Sequence, residues 1–152
     1  EDSARTRIFR FYAVTGAVTP LVTTHTNDGV APIAAATGPG AGRFVFAQNS
    51  LTAPAEIFSA RFDGSDVLQL THINDAHLAA TRVAQPEEFW FIDRVHGWLM
   101  KPVDYQPGHV YPLAYLIHGG PQGSWSDDFH YRWNMQAYAG AGYVTVAVDF
   151  HG

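Results

Sequence analysis

The sequence predicts a mixed fold, with an all-β first half followed by a strand–loop–helix–strand crossover of the kind that builds parallel sheets. Three observations predict it. Short apolar runs separated by glycine turns repeat at an offset of 45 to 49 residues up to about residue 91. Two later runs, Tyr111–Ile117 and Tyr143–Asp149, are rich in β-branched and aromatic residues and too continuous to be half-exposed, so they read as strands buried on both faces. Between them stand His118-Gly119-Gly120-Pro121, a polar stretch and an apolar pattern at helical spacing.

In the first half, Ile8–Tyr12 and Val18–Leu21 flank Thr15-Gly16, a hairpin pattern. A strand at Phe44–Ala47 follows the Gly38–Gly42 turn, and the next runs Pro54–Phe62, turns at Asp63-Gly64 and returns as Val67–Leu70. Thr24-His25-Thr26-Asn27-Asp28 comes back as Thr71-His72-Ile73-Asn74-Asp75, Ile8-Phe9 as Ile57-Phe58, and Phe44–Phe46 is echoed by Phe89–Phe91. Four-stranded propeller blades recur at about 40–50 residues, and a propeller needs at least about four of them. Two turns of the pattern therefore imply further blades before Glu1. His72 and His77 flank Asn74-Asp75, but a metal needs three or four convergent ligands, and the expected role is turn chemistry, with Asn and Asp side chains accepting from local backbone N–H groups.

Glu88–Ile92 and Val95–Pro102 read as two strands with only Asp93-Arg94 between them. In the crossover, Phe129, Trp133, Ala137 and Gly140 share one face of the predicted helix, Asp127 or Asp128 caps its start, and Gly140 and Gly142 supply the stop. Two glycines directly after a buried strand let the backbone turn sharply and present N–H groups without Cβ obstruction. A Gly-Gly-Pro run is also an ordinary tight turn. In α/β-hydrolases a loop of this type, in this position, supplies one backbone N–H of the oxyanion hole.

His118-Gly119-Gly120-Pro121-Gln122-Gly123-Ser124-Trp125, with Arg132-Trp133-Asn134 and the strand into Asp149, resembles the prolyl oligopeptidase family of serine peptidases, within it the fungal secreted dipeptidyl-peptidase V group. The resemblance implies the C-terminal end of a β-propeller followed by the first, incomplete part of an α/β-hydrolase domain. It places the last propeller blade and part of its predecessor in residues 1–86, and the start of the peptidase domain in 87–152. It implies an oxyanion loop at His118, Gly119, Gly120 and Pro121, with Arg132 and Asn134 as loop support or as surface residues. Relatives carry a tyrosine where His118 stands and a longer hairpin where Asp93-Arg94 stand. A peptide substrate and a secreted location follow from the resemblance, and neither a cofactor nor a metal is called for.

Composition narrows the rest. Nearly half of the 152 residues are hydrophobic, enough for a core. A formal charge of −5, with Lys101 the one lysine, leaves no basic footprint for nucleic acid. No apolar run is long enough to span a bilayer. Without cysteine there is neither a disulfide nor a thiol nucleophile.

A serine hydrolase needs a nucleophile, a base and an acid that orients the base. None of Ser3, Ser50, Ser59, Ser65, Ser124 and Ser126 sits in a Gly-x-Ser-x-Gly elbow. In the chain order of α/β-hydrolases all three groups follow the oxyanion loop, so they are expected beyond Gly152, and the segment alone is expected to be inactive. The competing readings are an acylaminoacyl-peptidase or esterase, which shares the loop, and a non-catalytic propeller that binds a partner.

Overall fold

The computed structural model describes residues 4–35, 37–92, 95–120 and 122–149. Strands β1 (Ile8–Phe11) and β2 (Val18–Val22) form the expected antiparallel hairpin, with Ile8 opposite Val22. Four strands follow: β3 (Thr26–Pro32), β4 (Arg43–Ser50), β5 (Ala53–Arg61) and β6 (Leu68–Gln69). They pair in sequence order as an antiparallel meander, a form compatible with a propeller blade. Phe44, Phe46 and Ala60 of this sheet pack with Ile8 and Val22 of the hairpin into one core. Arg43 is buried against it and is satisfied by the Ser59 hydroxyl and by the backbone and carboxylate of Asp66.

A short helix α1 (Asp75–Ala79) leads to a second four-stranded sheet. Its strands are β7 (Pro86–Phe91), β8 (Val95–Met100), β9 (Leu113–Leu116) and β10 (Val144–Val148), in the order β7-β8-β10-β9. The β9–β10 pair is parallel, with Val144 beside Leu113 and Ala147 beside Leu116, and the crossover between them carries helix α2 (Met135–Gly140). Alternation sends Trp98, Met100, Thr145 and Ala147 to one face, where Met135 and Ala139 of α2 cover them. The expected burial on both faces is not met for the Tyr111–Ile117 run: α2 covers one face, and on the other Leu113, Tyr115 and Ile117 are 61, 50 and 67% exposed. Among the described residues, no helix is long and apolar enough to cross a membrane.

Four expectations about the crossover helix and the repeat change. The helix is shorter than its periodicity suggests: Phe129 and Trp133 precede it, and its buried positions are Met135 and Ala139, one turn apart, while Ala137 and Gly140 face out. Neither Asp127 nor Asp128 caps it; Asn134 does, accepting from the Gln136 N–H at 2.8 Å. Asp127 is instead drawn into contact with the first sheet, which holds residues before 134 out of the helix. Gly142 ends the helix as expected, at φ +91°, whereas Gly140 is its last residue. The echo of Phe44–Phe46 in Phe89–Phe91 is compositional, since β4 lies inside an antiparallel meander and β7 edges the sheet that holds the parallel β9–β10 pair.

The turn chemistry also differs in sense. Asp28 accepts from the Gly29 N–H at 2.7 Å, but the amide of Asn27 donates, to the carbonyls of Thr6, Thr24 and His25. His72 bonds Asp75 at 2.7 Å, and among the described residues no group of three or more His, Asp or Glu is placed to hold a metal ion.

Candidate functional site

The parallel pairing of β9 and β10 brings two points of the chain together at the carboxyl ends of these strands, where ligands bind in open α/β sheets. One is the loop beginning at His118, and the other is Asp149, directly after β10. Ile117 and His118 continue out of β9, and the chain then bends at Gly119 and Gly120. The two glycines are unequal. Gly120 has φ +147°, and a Cβ there would lie 2.7 Å from the Gln122 carbonyl oxygen and 2.9 Å from its nitrogen. A Cβ on Gly119 would meet nothing within 4 Å. Pro121, the fourth expected loop residue, lies outside the described residues.

The loop doubles back on itself. The His118 ring has Nδ1 3.0 Å from the Gly119 carbonyl oxygen and stands edge-on to Trp125, with ring centroids 6.4 Å apart. Gly123 sits so close behind that a Cβ would come within 3.2 Å of the same ring nitrogen. Trp125 is then held by its own backbone: its N–H donates to Asp149 at 2.6 Å and its carbonyl accepts from the buried Trp98 indole at 2.8 Å. Of the two support candidates, Asn134 caps α2, and Arg132 lies on the surface with its guanidinium 5.0 Å from the centre of the Trp133 ring.

The loop faces a cleft of about 530 Å³ walled by Leu116, His118, Trp125, Trp133 and Met135 and, from the turn between β4 and β5, by Leu51. Ser124 and Ser126 also line it. Ser59 is spent on Arg43, Ser65 on Asp63, and Ser50 on Thr52.

The seam under this cleft is polar and dense. Asp127, 4% exposed, bonds the Ala4 carbonyl through its N–H, accepts from the Leu51 N–H at 2.9 Å and meets His25 at 2.9 Å, with Arg5 at 3.6 Å. Burial works most strongly against ionisation of Asp127. The His25 hydrogen bond, the Leu51 N–H and the charges of His25 and Arg5 together outweigh it, so the carboxyl titrates below its ordinary value. Gln136 satisfies three backbone groups at once, donating to the carbonyls of Leu51 and Ala84 and accepting from the Ala84 N–H. The Phe129 N–H donates to Asn49. Leu51 and Ala84 thereby join the core of the second sheet.

The sequence named Asp127 only as a helix cap and Asp149 only as the end of a strand, and it assigned Gln136 and Trp98 no role. For Asp149 the signal was its place, an acidic residue closing an apolar strand beside a glycine loop. The actual roles of Asp127 and Gln136 carry no local mark, because their partners are backbone groups about 50 to 120 positions away in the chain.

No family model matches the chain. Along its whole length it is 30% identical, over 177 aligned residues, to dipeptidyl-peptidase 4 of Giardia intestinalis, of which it covers 23%. Over 67 residues, 41% of the chain, it is 46% identical to dipeptidyl-peptidase 5 of Schizosaccharomyces pombe, covering 10% of that protein. The acylaminoacyl peptidase of Pyrococcus horikoshii superposes with a TM-score of 0.76 at 25% identity, over 96% of this chain and 22% of the other. These likenesses bear out the resemblance to the prolyl oligopeptidase family of serine peptidases. The chain spans under a quarter of the length of these relatives.

Proposed function

We propose that this chain is the junction segment of a serine peptidase of the dipeptidyl-peptidase V type. Residues 1–86 are the end of its propeller, and residues 87–152 open its α/β-hydrolase domain. The reading is carried by one observation: a glycine loop with a backbone that tolerates no Cβ at Gly120 stands at the carboxyl end of a parallel strand. There its N–H groups are available to a developing oxyanion. In this account His118, Gly119, Gly120 and Pro121 form the oxyanion arm, and His118 braces the loop through its own backbone. Asn134 supports the arm by starting α2, and Arg132 is a surface residue. The nucleophilic serine, the aspartate and the base histidine come from the remaining length that the relatives have, beyond Gly152.

The chemistry is acyl transfer. A serine attacks the peptide carbonyl of a short substrate, the oxygen takes up negative charge, and the loop N–H stabilises it. Collapse of the intermediate releases the amine and leaves an acyl-enzyme, which water then hydrolyses. No metal or cofactor enters. An acylaminoacyl-peptidase remains the second reading, favoured by the superposition on the Pyrococcus enzyme.

The test is to label the parent protein and this 152-residue segment with a fluorophosphonate, and to analyse the products the parent releases from N-free and N-acylated peptides. Labelling of the parent alone, with dipeptides released, is expected. Release of N-acyl amino acids selects the second reading. A labelled segment, or an unlabelled parent, overturns the placement of the nucleophile.

A further inference from the structure

We infer that Asp149 is a positioning residue for the oxyanion arm, acting through the backbone of Trp125; this rests on the peptidase reading above. The arm turns at Gly120 without support from its own secondary structure, so something downstream has to fix where it returns. That point is Trp125, whose peptide groups are gripped on both sides. Its N–H donates to Asp149 Oδ1 at 2.6 Å, and its carbonyl oxygen accepts from Trp98 Nε1 at 2.8 Å. The Trp125 ring in turn stands against His118, and Gly123, two residues before it, backs onto the His118 ring and the Gly119 carbonyl. A shift of Trp125 is therefore passed directly to the residues that present the N–H groups.

Asp149 is itself held in place. Its own N–H donates to the His96 carbonyl at 2.9 Å, continuing the β10–β8 ladder by one residue, and its second carboxylate oxygen lies 3.2 Å from His96 Nδ1. His96 is 5% exposed, lies edge-on between Trp90 and Trp98, and reaches Glu88 with its other ring nitrogen at 3.2 Å. Glu88 pairs with Arg5, which also lies over the Trp98 ring and near Asp127. An acceptor this well fixed does not follow the loop; the loop follows it. The two seam carboxylates thus divide the work: Asp127 holds the first sheet to the second through the Leu51 N–H, and Asp149 holds the arm to β10.

The experiment uses the parent enzyme with three variants. Asp149→Ala removes the acceptor, Asp149→Asn keeps a carbonyl oxygen in its place, and Trp98→Phe removes the indole donor while keeping an aromatic ring. Misplacement of a reacting group by about 1 Å costs on the order of 10²-fold. Asp149→Ala is expected to lower kcat about 10²-fold with KM within about twofold, Asp149→Asn to recover most of that loss, and Trp98→Phe to fall between them. Amide hydrogen exchange read at Trp125 reports the same contact without turnover, with protection lost in Asp149→Ala and kept in Asp149→Asn.

An Asp149→Ala enzyme with normal kcat, or with lost kcat but unchanged Trp125 exchange, overturns the positioning role while leaving the peptidase reading intact. An Asn variant as impaired as the Ala variant does so too. A wild-type parent without turnover or fluorophosphonate labelling overturns the peptidase reading, and this inference with it.

Discussion

The two copies of Thr-His-x-Asn-Asp begin alike and end differently. Each follows a hairpin, β1–β2 in one case and β5–β6 in the other, and each asparagine reaches back to the carbonyl two residues before the repeated isoleucine, Ile8 or Ile57. Asn27 donates to Thr6, and Asn74 to Ala55. Past that point they part. Asp28-Gly29-Val30 continues as β3 and pairs with β4, whereas Asp75-Ala-His-Leu-Ala turns into α1 and leads away from the sheet. Gly29, at φ +62°, sits where the β3–β4 register slips, and such a glycine and the β-branched residue after it suit a strand. The alanines and leucine of the second copy suit a helix. The histidines diverge as well: His25 crosses to Asp127 in the connection between β9 and α2, while His72 stays with Asp75 on the surface. The closing motif is thus shared, and the residues after it decide whether the chain starts another strand or leaves.

The two copies differ most in the burial of their asparagines. Asn27 is 2% exposed and donates to three carbonyls, so Asn27→Ala strands buried acceptors and is expected to cost about 2–3 kcal/mol in the parent. Asn74 is half-buried and shares its work with Thr71, and its alanine variant should cost about 1 kcal/mol. Chemical denaturation of the two variants measures both, and equal losses would mean that the copies are energetically interchangeable. The histidines give a smaller contrast. His25→Ala should lower stability by about 1 kcal/mol through the loss of the Asp127 contact, and His72→Ala should leave it unchanged within error, as expected of an exposed pair.

A pH dependence distinguishes the copies further. The position of Glu56 in the second copy corresponds to Arg7 in the first. Its carboxylate is bonded first by the Thr71 hydroxyl, then by the Asn74 backbone and amide, and its pKa drops from 4.5 to about 2. A depressed folded-state value stabilises above the unfolded value and is lost as pH falls through the folded one. The Tm advantage of wild type over Glu56→Gln should therefore be full at pH 6 and shrink between about pH 4.5 and 2. An advantage independent of pH across that window would rule out ionisation of Glu56 as its source.

Much of the strand pattern was legible, because glycine turns and apolar runs are local signals: the β1–β2 hairpin, the β4–β5–β6 succession and the β9–β10 crossover all lie where the residues put them. The repeat was legible in the motif and in Ile8/Ile57, which both lie in antiparallel hairpins, and misleading in Phe89–Phe91, where an aromatic run recurs on the edge strand of the sheet that holds the parallel pair. The length of α2 was not legible. Phe129 and Trp133 kept the helical period, but Asp127 and the Phe129 N–H are claimed by Ala4, Leu51 and Asn49, partners no local pattern reveals. In the site, the loop was visible as glycines after a strand, while the difference between them was not: it depends on how Gln122 folds back over Gly120.

That difference gives the most direct test of the oxyanion arm. In the parent enzyme, Gly120→Ala puts a Cβ into the Gln122 backbone at a backbone angle that alanine avoids, while Gly119→Ala puts one into open space. Loss of one oxyanion donor costs about 10²–10³ in kcat, and the bond strengthens only in the transition state. Steady-state kinetics should therefore show kcat reduced about 10²-fold or more in Gly120→Ala with KM little changed, and Gly119→Ala within a few-fold of wild type. A Gly120→Ala enzyme that is folded and turns over normally would contradict the assignment of this loop.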